Sequence, residues 1–188
     1  MVLPKPVKSA LPTILSEADI DAVSRVTQAL RRGEQPDARP YLLLTLLLYT
    51  GIKKSECMNI VLNHVDTRDP EQPFLWIRYS NPRRRDKERK LRLPVWWPAV
   101  LREYCKQYQI VEVLFPCTAR NLEYVLHKVA QSAGVTNSFS FETLRWTCAV
   151  RDHRDEMSDE MLRQKLGISK ITWRETRLKI QRLAGPLL

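Results

Sequence analysis

The stretch Tyr41-Leu42-Leu43-Leu44-Thr45-Leu46-Leu47-Leu48-Tyr49-Thr50-Gly51-Ile52-Lys53-Lys54-Ser55-Glu56-Cys57 decides the fold. From Tyr41 to Tyr49 it is apolar except at Thr45. That run is far below the ~20 residues a membrane span needs, and it is apolar nearly all round, as a helix buried in a protein core is. Gly51 breaks the helix, since glycine accepts the backbone conformations that stop one. A second helix is predicted from about Ser55 to Leu62, almost without a link.

Working outward, residues 1–11 read as a flexible, proline-punctuated leader. A helix is predicted from Ser16, whose hydroxyl can cap the first turn together with Asp19. Ile20, Val23, Val26 and Leu30 recur at helical spacing, and Gly33 stands where a C-terminal cap is wanted. On the other side, Phe74-Leu75-Trp76-Ile77 is strand-like and Ser80-Asn81-Pro82 turns the chain. Lys90-Leu91-Arg92-Leu93-Pro94-Val95 alternates as a strand with one buried face does. The two strands are expected to form a β-hairpin with an arginine run at its tip. Val100, Leu101, Tyr104 and Tyr108 mark one helix, and Leu122, Val125, Leu126 and Val129 another, closed by Gly134. Shorter helices are predicted around Phe141–Val150, Ser158–Leu166 and Ile171–Leu183. The fold class is α+β, mainly α, with a small antiparallel sheet.

A length of 188 residues suits one domain with a real core. Hydrophobic residues at 44% and charged residues at 28% describe a globular chain rather than a disordered one. The N-terminus has no apolar signal core. Cys57, Cys105, Cys117 and Cys148 are widely separated, and with only His64, His127 and His153 beside them neither a zinc site nor a disulfide framework is expected. The reading is a cytoplasmic, nucleoid-associated protein with reduced thiols, no cofactor and no membrane partner. Lys and Arg number 31 against 21 Asp and Glu, leaving +10. More than half of that surplus lies between Arg78 and Arg92, where eight basic residues face Asp86 and Glu88 for a net +6. Two readings stand: a solvated charged loop, or a surface that tracks phosphates and gains affinity from counterion release.

The segment Tyr49-Thr50-Gly51-Ile52-Lys53-Lys54-Ser55-Glu56-Cys57, running on to Asn59, Ile60 and Asp66, resembles the first signature of the tyrosine recombinase (phage integrase) catalytic domain. Leu114-Phe115-Pro116 resembles the junction before the family's second signature. Phe141-Glu142-Thr143-Leu144-Arg145-Trp146-Thr147 is similar to its H-x-L-R-H-T box, and Leu166-Gly167-Ile168-Ser169 to its L-G-H-S turn. Pro12-Thr13-Ile14-Leu15-Ser16 resembles the usual opening of the domain, so the resemblance runs from residue 12 to about 183 and the domain is expected over 12–188. It implies a helical domain with a three-stranded sheet and a concave face against duplex DNA. Family members carry a further N-terminal helical domain that has no counterpart here, so the chain is expected to be a naturally minimal protein or a piece of a longer one.

The resemblance also implies a chemistry: a tyrosine attacks a phosphodiester, arginines and histidines stabilise the negative transition state, and a hairpin lysine protonates the leaving oxygen. Placed on that pattern, this sequence is degenerate. Lys53 stands at the first arginine position, keeping charge but losing the planar fork. Glu142 replaces a histidine, Arg145 is kept, Trp146 follows it, and Ile168 stands at a later His/Trp position. The nucleophile should fall at Arg177, and no tyrosine follows Tyr124. Lys87 is the hairpin lysine, with Arg84 as a competing alignment. Losing one preorganised donor costs ~3 kcal/mol, so the expectation is no enzyme and no catalytic residues.

Binding can outlast chemistry. Lys53, Lys54, Arg83, Arg84, Arg85, Lys87, Arg89, Arg145, Arg174 and Arg177 would line the side facing double-stranded DNA. Glu142 can pair with Arg145 three residues on, or serve the dipole of its own helix. Trp96 and Trp97 read as packing residues rather than base-stackers. The segment Leu178–Leu188 is expected to lie on its own domain or on a second copy. The function expected is a transcriptional regulator or recombination accessory factor, with a mobile element as one candidate setting and transcription machinery or a partner recombinase as partners. The alternatives are an active recombinase with an unrecognised nucleophile and a protein-interaction module that has lost DNA binding.

Overall fold

The structure is a computed structural model that describes residues 10–185. Residues 1–9 of the expected leader and 186–188 of the C-terminal segment lie outside the described residues. The order is α1 (Glu17–Arg32), α2 (Arg39–Thr50), α3 (Lys54–Cys57), β1 (Val65–Asp66), β2 (Phe74–Ile77), β3 (Arg89–Arg92), α4 (Trp97–Tyr108), α5 (Ala119–Ser132), α6 (Phe141–Arg154), α7 (Asp159–Leu166) and α8 (Lys170–Ala184). This is the mainly helical domain with a small three-stranded antiparallel sheet, β1-β2-β3, that the sequence implies.

Helix α2 is the axis. Leu42, Leu43, Leu44, Leu46 and Leu47 are all essentially inaccessible, and each contributes roughly 1.5–3 kcal/mol by leaving water. Gly51 ends the helix in a left-handed conformation (φ 59°), with its N–H donating to the Leu47 carbonyl. The Ser16–Asp19 capping box opens α1. Leu30 departs from the expected apolar face and is exposed, while Thr27 takes a buried place by returning its hydroxyl to the Val23 carbonyl at 2.9 Å. Gly33 caps α1 in extended backbone rather than a left-handed turn.

The helix predicted over Ser55–Leu62 is one turn long. Asn59 Nδ2 donates to the Ser55 carbonyl at 2.6 Å. Beyond it, Leu62 N–H donates to the Glu112 carbonyl at 2.8 Å and Leu114 N–H to the Ile60 carbonyl at 2.9 Å. A β-bridge between Val61 and Val113 thus takes the chain out of the helix. A long-range pairing overrides local propensity here.

In the sheet, Phe74 pairs with Arg92, Leu75 with Leu91, Trp76 with Lys90 and Ile77 with Arg89. Leu75, Ile77 and Leu91 face the core, while on the other face the Lys90 ammonium stands over the Phe74 and Trp76 rings at 4.6 and 4.4 Å. Between β2 and β3 the chain makes a 3-10 turn, Pro82–Lys87, rather than a tight hairpin turn. Asn81 caps it by accepting from the Arg83 N–H at 3.0 Å, and Glu88 closes its base by accepting from the Tyr79 N–H at 3.0 Å.

A smaller core joins α6, α7 and α8 through Ala149, Val150, Leu162, Leu166 and Ile180. Leu183 packs against it, so the described part of the C-terminal segment lies largely on its own domain, although Leu178 remains exposed. Trp97 is fully buried, as expected of a packing residue, and Trp96 packs tilted on Tyr41 and edge-to-face on Tyr49, with ring centroids at 5.7 and 5.9 Å. No helix among the described residues is long and apolar enough to cross a membrane.

Candidate functional site

The end of α2, the single turn α3, strand β3, helix α6 and the α7–α8 turn converge on one cationic region. Its centre is a buried ion pair. Glu56, on α3, accepts from Arg89 Nη1 and Nη2 at 3.0 Å each, with side-chain exposures of only 1% and 8%. The Lys53 backbone N–H donates to the same carboxylate at 2.9 Å and the Tyr79 hydroxyl donates to it as well. Burial alone would push this carboxyl up, but the Arg89 fork, with the Tyr79 and Lys53 bonds, holds it down at about 2.

Arg89 goes on to donate through Nε to the Lys165 carbonyl at 2.7 Å. It passes over Gly167, where a Cβ would stand 2.6 Å from Arg89 Nη1 and where φ is +60°. Only glycine meets both conditions without strain. Arg145, from α6, donates through Nη1 to the Gly51 carbonyl and through Nη2 to the Leu166 carbonyl at 2.7 Å. The two arginines therefore satisfy carbonyls left open where helices end. Beneath them, the Lys165 ammonium meets Asp152 at 2.6 Å and fixes α7 to α6.

Beside Arg145 lies a cavity of about 270 Å³ lined by Lys53, Glu142, Arg145, Trp146, Ala149, Leu166, Ile168 and Thr176. Lys53 is half-buried. Burial pushes its ammonium below the ordinary lysine range, and Arg145, Arg89 and Lys87 push in the same direction against the pull of Glu56. Glu142 does not pair with Arg145. Its carboxylate accepts instead from Trp146 Nε1 at 2.6 Å, one helical turn along α6. Helix α8 presents Thr176 to the cavity, whereas Arg177, where the nucleophile position was expected, pairs with Asp159 of α7 at 2.7 Å.

The expected DNA-facing residues sort into different environments. Arg83, Arg84 and Arg85 are exposed on the 3-10 turn, and Arg174 is exposed on α8. None of these four has an ion-pair partner among the described residues. Arg84 and Arg85 border a wide cleft of about 780 Å³ shared with Arg78, His64 and Trp76. Lys54 is exposed but paired with Glu123 at 2.8 Å. Lys87 is half-buried and lies across a cleft from Arg163 and Ile168. Lys53 and Arg145 sit together at the cavity. Arg89 is the exception: it is turned inward and consumed by Glu56 and Lys165, so it presents no guanidinium to a duplex.

Glu56, Tyr79, Lys165 and Thr176 went unassigned in the sequence. The signal for Arg89 was present, because a strand in which Leu91 and Leu93 point inward also points Arg89 inward.

No family model and no curated protein matches the chain. Solved structures do. The XerH site-specific recombinase in a post-cleavage complex with palindromic difH superposes with a TM-score of 0.76 at 18% identity, over 96% of this chain and 54% of that one. XerA recombinase gives 0.74 at 20% identity, over 95% and 62%. The Tn1549 transposon integrase in complex with transposon right end DNA gives 0.68 at 15% identity, over 95% and 68%. The chain thus spans little more than half of XerH and under two thirds of XerA. Its described architecture is the catalytic-domain fold of the tyrosine recombinases and integrases.

Proposed function

We propose that this protein binds double-stranded DNA through the recombinase fold without cutting it, and that it acts as a regulator of transcription or an accessory factor in recombination, on a mobile element or its host. The observation that carries the first part is the α8 face of the cavity. Thr176 stands there beside Lys53 and Arg145, and no tyrosine follows Tyr124 in the sequence. An alcohol of ordinary acidity, with no histidine lining the cavity, lacks the activation a phosphoester-forming nucleophile needs.

Tyr79 is the phenol that touches the ion pair, through Glu56. Burial, then the bond to Glu56, raises its pKa, which disfavours the phenolate that would attack. Exposed cations support binding: Arg83, Arg84, Arg85 and Arg174 are free to meet phosphates. XerH with difH and the Tn1549 integrase with transposon end DNA are DNA complexes of the same fold.

A nicked suicide duplex tests the reading. No covalent protein–DNA adduct is expected, from the protein or from Thr176→Tyr or Arg177→Tyr variants, because Lys53, Glu142 and Ile168 remain unsuited. An adduct formed by the unaltered protein, and lost in Tyr79→Phe, overturns it. Duplex affinity should fall with salt as for about 5–8 neutralised phosphates. A genome-wide footprint then shows which promoters or element ends are occupied, and occupancy of neither sinks the regulatory half.

A further inference from the structure

The cavity beside Arg145 has two kinds of wall. Lys53 and Arg145 bring positive charge to one side. The Trp146 ring, Ala149, Leu166 and Ile168 make the other side apolar. The Lys53 ammonium has neither a hydrogen bond nor an ion pair among the described residues, although it is half-buried. A cation withdrawn from water favours a partner. Arg145 has spent single N–H groups on Gly51 and Leu166, and a guanidinium carries five.

We propose that this cavity binds a small monocarboxylate with a compact apolar body, aromatic or branched aliphatic, and that its occupancy weakens the grip on DNA. The carboxylate lies between Lys53 and Arg145, and the apolar body covers Trp146 and Ile168. Size and charge set the class. At about 270 Å³ the space falls just below the range of sites for drug-sized ligands. The Glu142 carboxylate, held on the rim by Trp146 Nε1, repels a second negative charge and so selects a monoanion over a phosphate monoester. A bound carboxylate also neutralises the charge that a DNA phosphate would meet at Lys53. The first half of the proposal stands on the cavity alone; the second rests on the DNA-binding reading above.

Benzoate and its neutral analogue benzyl alcohol are the probes, read by indole fluorescence and by the melting temperature of the free protein. Benzoate is expected to bind at millimolar concentration or below, to quench a signal that is missing in Trp146→Phe, and to raise the melting temperature. Benzyl alcohol and the Lys53→Met variant should each bind about tenfold or more weakly, the cost of losing one partner of a charge pair. Ala149→Leu, which adds three carbons to the apolar wall and keeps both cations in the sequence, should abolish the quench. Equal affinity for benzoate and benzyl alcohol, or unchanged benzoate binding in Ala149→Leu, overturns the site. Saturating benzoate should then weaken duplex binding severalfold. Undiminished DNA affinity with benzoate bound overturns the coupling, whereas benzoate binding by a protein with no affinity for duplex overturns the DNA reading and leaves the site intact.

Discussion

Two groups of arginines from one short basic run meet opposite fates. Arg83, Arg84 and Arg85 sit on a 3-10 turn and reach into water with no ion-pair partner among the described residues. Arg89, a few residues on, is sealed against Glu56, Lys165 and Gly167. Their charges are identical, so charge did not decide. Backbone conformation did: the turn places the Arg83, Arg84 and Arg85 side chains outside, whereas a strand paired with Ile77 sends alternate side chains to the core. One group can serve a partner, and the other holds β3, α3 and the end of α7 together.

That contrast breaks most sharply at Glu56. Replacing it by alanine leaves the buried Arg89 charge without its partner and should cost about 3–5 kcal/mol in urea unfolding. The same pair sets a pH dependence. The folded carboxyl titrates at about 2 against an ordinary 4.5, so its contribution is full above pH 4.5 and is lost as the pH falls from there toward 2. A Glu56→Gln variant should lack that part of the acid loss; an identical acid profile would show that the pair contributes nothing.

Gly167→Ala tests the same strut from the other side. The new Cβ meets Arg89 and strains a left-handed backbone, and the expected loss is about 2 kcal/mol by the same denaturation. The exposed group should behave oppositely. Reversing Arg83, Arg84 and Arg85 together to glutamate should change stability by no more than about 0.5 kcal/mol. Yet it should weaken binding to all duplex sequences alike and lower the salt slope by about 3. An unchanged slope would remove the turn from the interface. Smallest is Lys54→Gln, which breaks an exposed pair with Glu123 and should cost under about 1 kcal/mol.

The sequence was legible where one local signal dominated. Helix α2 needed only its leucines, interrupted once at Thr45, α1 its Ser16–Asp19 box, and the sheet its alternation. It was less legible where distant chain intervened, as when the 112–114 segment drew Ile60 and Leu62 out of a predicted helix. Single-residue offsets hid part of the candidate site. Counting from Gly167 led to Arg177, but one residue turns a helix by about 100°, and Thr176 is the side chain that lines the cavity. Glu142 was placed correctly on its helix, yet the Trp146 indole on the same face competed for its carboxylate and won. The burial of Arg89 followed from parity already used for Leu91, and it was hidden by reading a basic run as one object.

Arg145 clasps the carbonyls of Gly51 and Leu166, and a side chain that closes two helix ends serves the scaffold whatever chemistry stands nearby. Its presence is therefore a poor witness to activity. Lys53, whose side chain fastens nothing among the described residues, is the better one: the ammonium that folding could spare is free to answer to a ligand.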